Sequence, residues 1–391
     1  MYKIQTLNKI DPEGLSLLPK DKYLTDSDIG SPDGIILRSF NMLDMELPSG
    51  LKAIARAGAG VNNIPIDRCT EKGIVVFNTP GANANAVKEL VLSGLFLASR
   101  DIAGGIAWAK TLAGKGAEVP KLIEDGKKNF GGQEIFGKTL AVVGLGAIGV
   151  LVANAAQSLG MKVIGYDPYI SVKQAFKISN SVKWSENIEP VLASADYITL
   201  NIPLTSETKG YINKDKLKLM KPGVRLLNFA RGGLVNNKDL ADAITDGKVS
   251  CYVTDFPDDD VLQMEKVIPI PHLGASTTES ETNCAIMAVE QMQNFLENGN
   301  INNSVNFPSA EMDSHNECRI IIANRNVPNM VSQITSLLAQ EGINIDNFLN
   351  RNKGDIAYNI IDIDRKTVDK SIEEKFKSIE GVFMVRIIPA E

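Results

Sequence analysis

His272 and His315 are the only histidines among the 391 residues of this chain, and their surroundings differ. An imidazole takes up and releases a proton near neutral pH, so it is the side chain most used as a general acid or base. His315 sits in the polar stretch 302–316 and reads as a solvated side chain. His272 follows the apolar run Val267 to Ile270 and Pro271, and precedes Leu273-Gly274-Ala275-Ser276-Thr277. Arg231 also closes an apolar run, Val224 to Phe229, and Gly232 and Gly233 keep side chains out of the space beside it. A guanidinium is a rigid fork that binds a carboxylate through two parallel hydrogen bonds. An acid near His272 would orient its ring, and Asp258-Asp259-Asp260 can supply one, although such a run is often a solvated loop.

An acid/base and a carboxylate holder are two parts of a hydride-transfer site; the third is a bound nicotinamide. Gly144-Leu145-Gly146-Ala147-Ile148-Gly149 provides for it. The motif follows the apolar run Leu140 to Val143 and opens a helical stripe of Ile148, Leu151, Val152, Ala155 and Leu159. A second apolar run, Val163 to Tyr166, ends on Asp167. Strand, glycine turn, helix, strand and acid together form the unit that binds a dinucleotide. The first glycine allows the turn, the second lets backbone approach the pyrophosphate, and the third brings helix against strand. Amides at the helix N-terminus then face the phosphates. Asp167 would bind the ribose hydroxyls, and no arginine stands beside it in Asp167-Pro168-Tyr169, which favours NAD over NADP.

These loops need strands to hold them. Gly34 to Leu37, Ala53 to Ala55 and Ile74 to Phe77 read as strands before the glycine motif, and Tyr197 to Asn201 and Cys251 to Thr254 after it. Helical runs lie between, as in a parallel α/β sheet. Ala86 to Ser99 and about Thr277 to Asn298 read as long helices on either side of the dinucleotide unit. Residues 302–316 look like a linker, and beyond it the order βαββαβ describes a small ferredoxin-like module. On its residues alone that module lacks an evident nucleophile and reads as a dimerisation or folding appendage.

Composition narrows the function classes. The net charge of −6 argues against nonspecific nucleic-acid binding, which needs basic surface. No signal peptide is expected, and no run approaches the ~20 apolar residues that cross a bilayer. Cys69, Cys251, Cys284 and Cys318 lack metal spacing, so reduced thiols, no metal site and a cytoplasmic setting are expected.

Gly144 to Gly149, Asn228-Phe229-Ala230-Arg231-Gly232-Gly233, Thr254-Asp255-Phe256 and Pro271 to Thr277 resemble the signature set of the D-isomer-specific 2-hydroxyacid dehydrogenases. Arg38-Ser39, Arg56 to Asn63 and Asn78-Thr79-Pro80 extend the likeness over nearly the whole chain. The resemblance implies two Rossmann-like, doubly wound parallel-sheet domains and a C-terminal ACT domain of the βαββαβ type. The domains would be a substrate-binding part (1–82 and 284–305), an NAD-binding part (83–283), a linker (306–316) and the ACT domain (317–391).

By position, the resemblance assigns acid/base chemistry to His272 and the substrate carboxylate to Arg231, with Asp260 as the acid partner of His272 and Asp259 as its alternative. Family members usually carry glutamate where Asp260 stands. Arg38, Ser39, Arg56 and the amides of Ala59, Gly60 and Val61 would bind substrate. Gly144, Gly146, Ala147, Ile148, Gly149, Asp167, Pro203, Thr208, Ala230, Arg231, Asp255, His272 and Gly274 would line the cofactor. The implied reaction is NAD-dependent oxidation of 3-phosphoglycerate to 3-phosphohydroxypyruvate, the first step of serine synthesis. Asn324, Asn326 and Asn344 would bind L-serine as a feedback effector, with Asn324 where histidine is common. A homodimer or homotetramer is expected, without nucleic acid or membrane. The alternatives are a glyoxylate or hydroxypyruvate reductase of the same family and an NAD-sensing corepressor-like protein.

Overall fold

Strands buried on both faces need uninterrupted apolar runs, and the N-terminal segment supplies them. In the computed structural model, which describes residues 1–313, 317–369 and 371–389, three such strands and two less buried ones form a parallel sheet. They are β1 (Tyr2–Leu7), β2 (Tyr23–Asp26), β3 (Gly34–Leu37), β4 (Ala53–Arg56) and β5 (Val75–Phe77), in the order β2-β1-β3-β4-β5. The order reverses between β1 and β3, the kind of point where a crevice opens beyond the C-terminal strand ends. Arg38 follows β3 and Arg56 ends β4, so both stand on that edge. The helix Thr278–Asn298 covers one face, burying Ala288, Val289, Met292 and Phe295 against Ile4, Ile36, Ala55 and Phe77.

The second sheet has seven parallel strands in the order β12-β11-β10-β9-β6-β7-β8. They are β6 (Thr139–Val143), β7 (Lys162–Tyr166), β8 (Lys183–Trp184), β9 (Tyr197–Leu200), β10 (Val224–Asn228), β11 (Val249–Thr254) and β12 (Val267–Pro269). Alternate residues of β6 enter different cores, because successive side chains of a strand point to opposite faces. Leu140 and Val142 join Val91, Leu95 and Val150 of the helices Ala84–Ser99 and Ala147–Ser158. Ala141 and Val143 join Val191, Leu192 and Leu240 of the helices Ile188–Ser194 and Asn237–Thr245. The sheet is therefore doubly wound, with its reversal between β6 and β9, where the glycine motif leaves β6.

The third sheet is antiparallel: β13 (Arg319–Arg325), β14 (Ile345–Lys353), β15 (Ile356–Ile363) and β16 (Val382–Ile388), ordered β14-β15-β13-β16. With the helices Met330–Gln340 and Ser371–Lys377 it completes the βαββαβ module. Ile320 and Ile322 pack beneath those helices, with Ile334, Leu338 and Phe376. Ile321 and Ala323 face the other way, into the same core as Phe77, Phe295 and Phe307. Both faces of this sheet are thus covered.

The chain forms two units, Met1–Asn83 with Glu281–Glu391, and Ala84–Ser280. The C-terminal module lies within the first. The polar segment expected as a linker is not a solvated tether in its described part. Asn306 accepts a hydrogen bond from the Val76 amide at 2.9 Å and donates to the Ile74 carbonyl at 2.9 Å. Phe307 and Ala310 are buried, and Ile301 bridges Ala310. The polar side chains satisfy backbone groups along β5 while the two apolar ones enter the core. His315 lies outside the described residues. Among those residues no single helix is long and apolar enough to cross a membrane, and the four cysteines are free thiols.

Candidate active site

Every expected cofactor-side residue of the second unit follows a C-terminal strand end. Across the sheet the loops run in the order His272 (after β12), Asp255 (β11), Arg231 (β10), Pro203 (β9), the glycine turn (β6) and Asp167 (β7). Neighbouring strands lie about 4.8 Å apart, so this row places His272 at one end and Asp167 toward the other.

The glycine turn meets the requirements of a phosphate cradle. Gly144 has φ +94°, and a Cβ on it would lie 2.6 Å from the Asn201 carbonyl oxygen. A Cβ on Gly149 would lie 1.9 Å from the Gly144 carbonyl oxygen, so helix and strand touch backbone to backbone. Gly146 is different: a Cβ there would meet nothing within 4 Å and would project into the cradle. Gly146 is also the N-cap of the helix Ala147–Ser158, with no side-chain capping bond, so the first-turn amides of Ala147, Ile148 and Gly149 face that space. Asp167 is fixed by the Leu145 amide at 2.8 Å and the Tyr169 amide at 2.8 Å. Thr208 donates to the Pro203 carbonyl at 2.6 Å, which closes the loop after β9. These residues fit a dinucleotide.

At the other end of the row, His272 and Arg231 are both exposed and both act on Asp255. Burial pushes the Asp255 carboxyl above its ordinary range, while the charges of His272 and Arg231 and the Gly274 amide pull it back. That amide donates to Asp255 Oδ2 at 3.2 Å, and Oδ1 is buried without a partner among the described residues. An orphaned buried oxygen at the floor of a site is a ready acceptor for a bound amide or hydroxyl.

Sequence reasoning did not assign Phe256 or Asn228, and both shape this end. The Phe256 ring lies 4.4 Å from the His272 ring, centroid to centroid, and its Cβ is 3.5 Å from where a Gly232 Cβ would stand. Asn228 Nδ2 donates to the Arg231 carbonyl at 2.9 Å, and its Oδ1 accepts from the Ala230 amide at 3.2 Å. The signal was present in the quoted motifs, where both residues flank the assigned ones.

The acid partner differs from expectation. Neither Asp260 nor Asp259 forms an ion pair with His272 among the described residues. Asp258 caps the short helix Asp259–Leu262 by accepting from the Val261 amide at 3.0 Å, and Asp259 accepts from Gln263 at 2.9 Å. The aspartate run is a helix start, where negative charge is favoured. Asp255 is the carboxylate whose range the charge of His272 lowers.

In the first unit, Ala59, Gly60 and Val61 follow β4. Their carbonyls accept from Asn78 Nδ2, Arg56 Nη1 and the Ile64 amide, at 2.7, 2.6 and 3.1 Å. Among the described residues their own amides donate no hydrogen bond, an arrangement suited to an anion. Arg56 is turned onto backbone instead of outward: besides Gly60, its Nε donates to the Arg38 carbonyl at 2.9 Å. It therefore shapes the substrate loop that it was expected to serve as a phosphate ligand. Arg38 and Ser39 stand at the end of β3, Ser39 exposed and Arg38 paired with Glu281.

The expected effector residues are not gathered within one chain. Asn324 and Asn326 line a pocket with Val327, Asn329, Met330 and Asn350. Asn324 is a buried strand residue, accepting from Asn359 Nδ2 at 2.8 Å, and not a loop residue. Asn344 precedes β14 at the other end of the same sheet, its amide donating to Asp364 at 3.3 Å.

A doubly wound sheet with a glycine cradle, an acid after the next strand, and an imidazole and a guanidinium at its C-terminal edge is the arrangement of a dinucleotide-binding site. Residues 102–274 match the family model "D-isomer specific 2-hydroxyacid dehydrogenase, NAD binding domain". The chain is similar to a D-3-phosphoglycerate dehydrogenase of Methanocaldococcus jannaschii, 37% identical over 290 residues, covering 72% of this chain and 53% of that one. The corresponding enzyme of Archaeoglobus fulgidus is 35% identical over 292 residues, covering 71% and 52%. The chain spans about half the length of these curated relatives. Among solved structures, the NAD+-bound 3-phosphoglycerate dehydrogenase of Entamoeba histolytica superposes with TM-score 0.60 at 26% identity, covering 78% and 98%.

Proposed function

We propose that the protein oxidises 3-phospho-D-glycerate to 3-phosphohydroxypyruvate with NAD. The observation that carries this reading is the row of loops along the second sheet, in which His272 and Arg231 both act on Asp255 at the end of a dinucleotide cradle. Bound NAD supplies the hydride acceptor. His272 takes the hydroxyl proton of the substrate, and the positive charge it gains is offset by Asp255. Arg231 holds the carboxylate and the developing carbonyl oxygen, with its backbone held by Asn228. Preorganised cationic contacts of this kind contribute roughly 3 kcal/mol in a transition state. The amides of Ala59 to Val61 serve the carboxylate, and Arg38 serves the phosphate. Supporting this choice over glyoxylate or hydroxypyruvate reduction is the similarity to the D-3-phosphoglycerate dehydrogenases.

The C-terminal module acts as an L-serine sensor between two copies of the chain. Among the described residues β14 pairs only with β15, and most of its residues are exposed, so two such edges can join antiparallel. That pairing brings the Asn326 end of one sheet toward the Asn344 end of the next, which a single copy does not do. One assay tests the whole reading: NADH formation from 3-phosphoglycerate, with and without L-serine. Turnover that serine lowers supports both parts. Turnover indifferent to serine removes the sensor, and NADH formation only from unphosphorylated hydroxy acids removes the substrate.

A further inference from the structure

Arg38 Nη1 lies 2.6 Å from Glu281 Oε1, with both side chains partly exposed. Nothing in the reaction requires this pair, and it occupies the one guanidinium that the proposed function assigns to the substrate phosphate. The two partners are held differently from their own tips. The Arg38 carbonyl accepts from Arg56 Nε at 2.9 Å and Asn63 Nδ2 at 3.2 Å, which fixes its backbone while the side chain stays accessible. Glu281 sits in the first turn of the helix Thr278–Asn298. Its neighbour Thr282 donates to Asp11 at 2.9 Å, and a Cβ on Gly14 would lie 2.7 Å from the Ala285 backbone, so this helix start is packed tightly in place. A carboxylate in the first turn is also favoured by the helix dipole. Glu281 thus stands on a packed helix start and Arg38 on a fixed strand end, with both side-chain tips partly exposed and free to exchange partners.

We propose that Glu281 is a built-in counter-ion for the phosphate-receiving guanidinium, which an incoming anion must displace. Resting on the reading of Arg38 given above, it names a residue that sets specificity. A free phosphate ion, held at a single point, gains little by exchanging one anion for another at Arg38. A substrate anchored at its carboxylate as well offsets the same exchange with its second contact. Glu281 thereby keeps abundant small anions out of the site, and raises the KM for the substrate in doing so. An exposed ion pair of this type corresponds to about a two- to fivefold change in affinity.

The experiment compares wild type, Glu281→Gln, Arg38→Gln and the double variant. Inorganic phosphate binding is measured by calorimetry, and KM and kcat by NADH formation. Glu281→Gln is expected to tighten phosphate binding and lower the KM for 3-phosphoglycerate by about two- to fivefold, with D-glycerate, which lacks the phosphate, gaining less. High salt should shrink the gain, since it screens exposed pairs. In the Arg38→Gln background the gain should largely vanish. Unchanged phosphate affinity in Glu281→Gln, or an equal gain without Arg38, overturns the proposal. If wild type oxidises no 3-phosphoglycerate, the substrate reading fails while the calorimetry still decides the role of Glu281.

Discussion

Two glycines at the same helix start, Gly146 at its N-cap and Gly149 three residues on, should respond in opposite ways to one methyl group. A Cβ on Gly146 meets no atom within 4 Å, whereas a Cβ on Gly149 would lie 1.9 Å from the Gly144 carbonyl oxygen. Gly146→Ala should therefore leave the unfolding temperature of the ligand-free protein near that of wild type. Its methyl projects where a pyrophosphate must approach the amides of Ala147 to Gly149. Losing one charge-assisted hydrogen bond there costs about 1.5–3 kcal/mol, or about 10- to 150-fold in NADH affinity. Gly149→Ala should instead lose folding stability, since two backbone segments must separate, at about 1–3 kcal/mol or more. The assay pairs NADH titration with thermal unfolding of each variant without ligand. Wild-type NADH affinity in Gly146→Ala would mean that the phosphates lie elsewhere, and the reading of the cradle would fail.

Three further outcomes follow from the site and the C-terminal module. His272→Ala should lower kcat by about 100-fold or more while NADH affinity changes little, as removal of a general base does; near-normal turnover would refute its role. Burial raises the Asp255 carboxyl in the folded state, so its contribution to stability is greatest below the ordinary aspartate range and is lost as pH rises through the folded value. Asp255→Asn should accordingly unfold at a higher temperature than wild type at pH 7 and lose that advantage near pH ~4, and a lower unfolding temperature at pH 7 would contradict the assignment. Arg319 is fully buried and bidentate to Asp362, at 2.6 and 2.9 Å. Asp362→Ala should cost about 3–5 kcal/mol in denaturant unfolding by stranding that charge, and replacing Arg319 with Met as well should recover much of it. Equal destabilisation in single and double variants would count against this account.

The elements that the sequence shows most openly are those whose burial is uniform. Gly34 to Leu37 is an unbroken apolar run, buried at every position, and the strand bounds match the run. β1 and β2 escape such a reading because their residues are mostly half-buried, with Lys3, Gln5 and Thr25 among the apolar ones. Placement was legible where a residue follows a strand end, as with His272, Arg231 and Gly146. It was not legible where a partner is chosen by the turn of a chain in space. The resemblance pairs Asp260, or else Asp259, with His272, but the run starts a helix in which Asp258 is the cap and Asp259 accepts from Gln263. Arg56 carries the right charge at the right strand end, and only the carbonyls of Arg38 and Gly60 show that it turns inward.

The C-terminal module carries the least sequence-like lesson, because its two sheet faces were both apolar and only one has helices of its own. A βαββαβ unit alone would leave Ile321, Ala323 and Tyr358 in water, so something must cover them. The end of the helix Thr278–Asn298 does so, and the contact is more than apolar. Tyr358 donates to the Gly299 carbonyl at 2.6 Å, Arg319 to Asn298 at 3.0 Å, and Arg386 to Phe295 and Leu296 at 3.1 and 2.8 Å. The last carbonyls of a helix lack partners within it and carry partial negative charge. Two arginines and a tyrosine from the module supply partners there, beside the Gly299 amide on Phe295 and the Tyr2 hydroxyl on Leu296. Arg386 also lies 4.5 Å over the Phe295 ring, with burial lowering its pKa. The helix that starts beside the His272 loop in sequence is therefore capped at its far end by the module. A cap of this kind ties the module to the helix by directional bonds to specific carbonyls, which a purely greasy interface would not. Any displacement of the module must break them or carry the helix along.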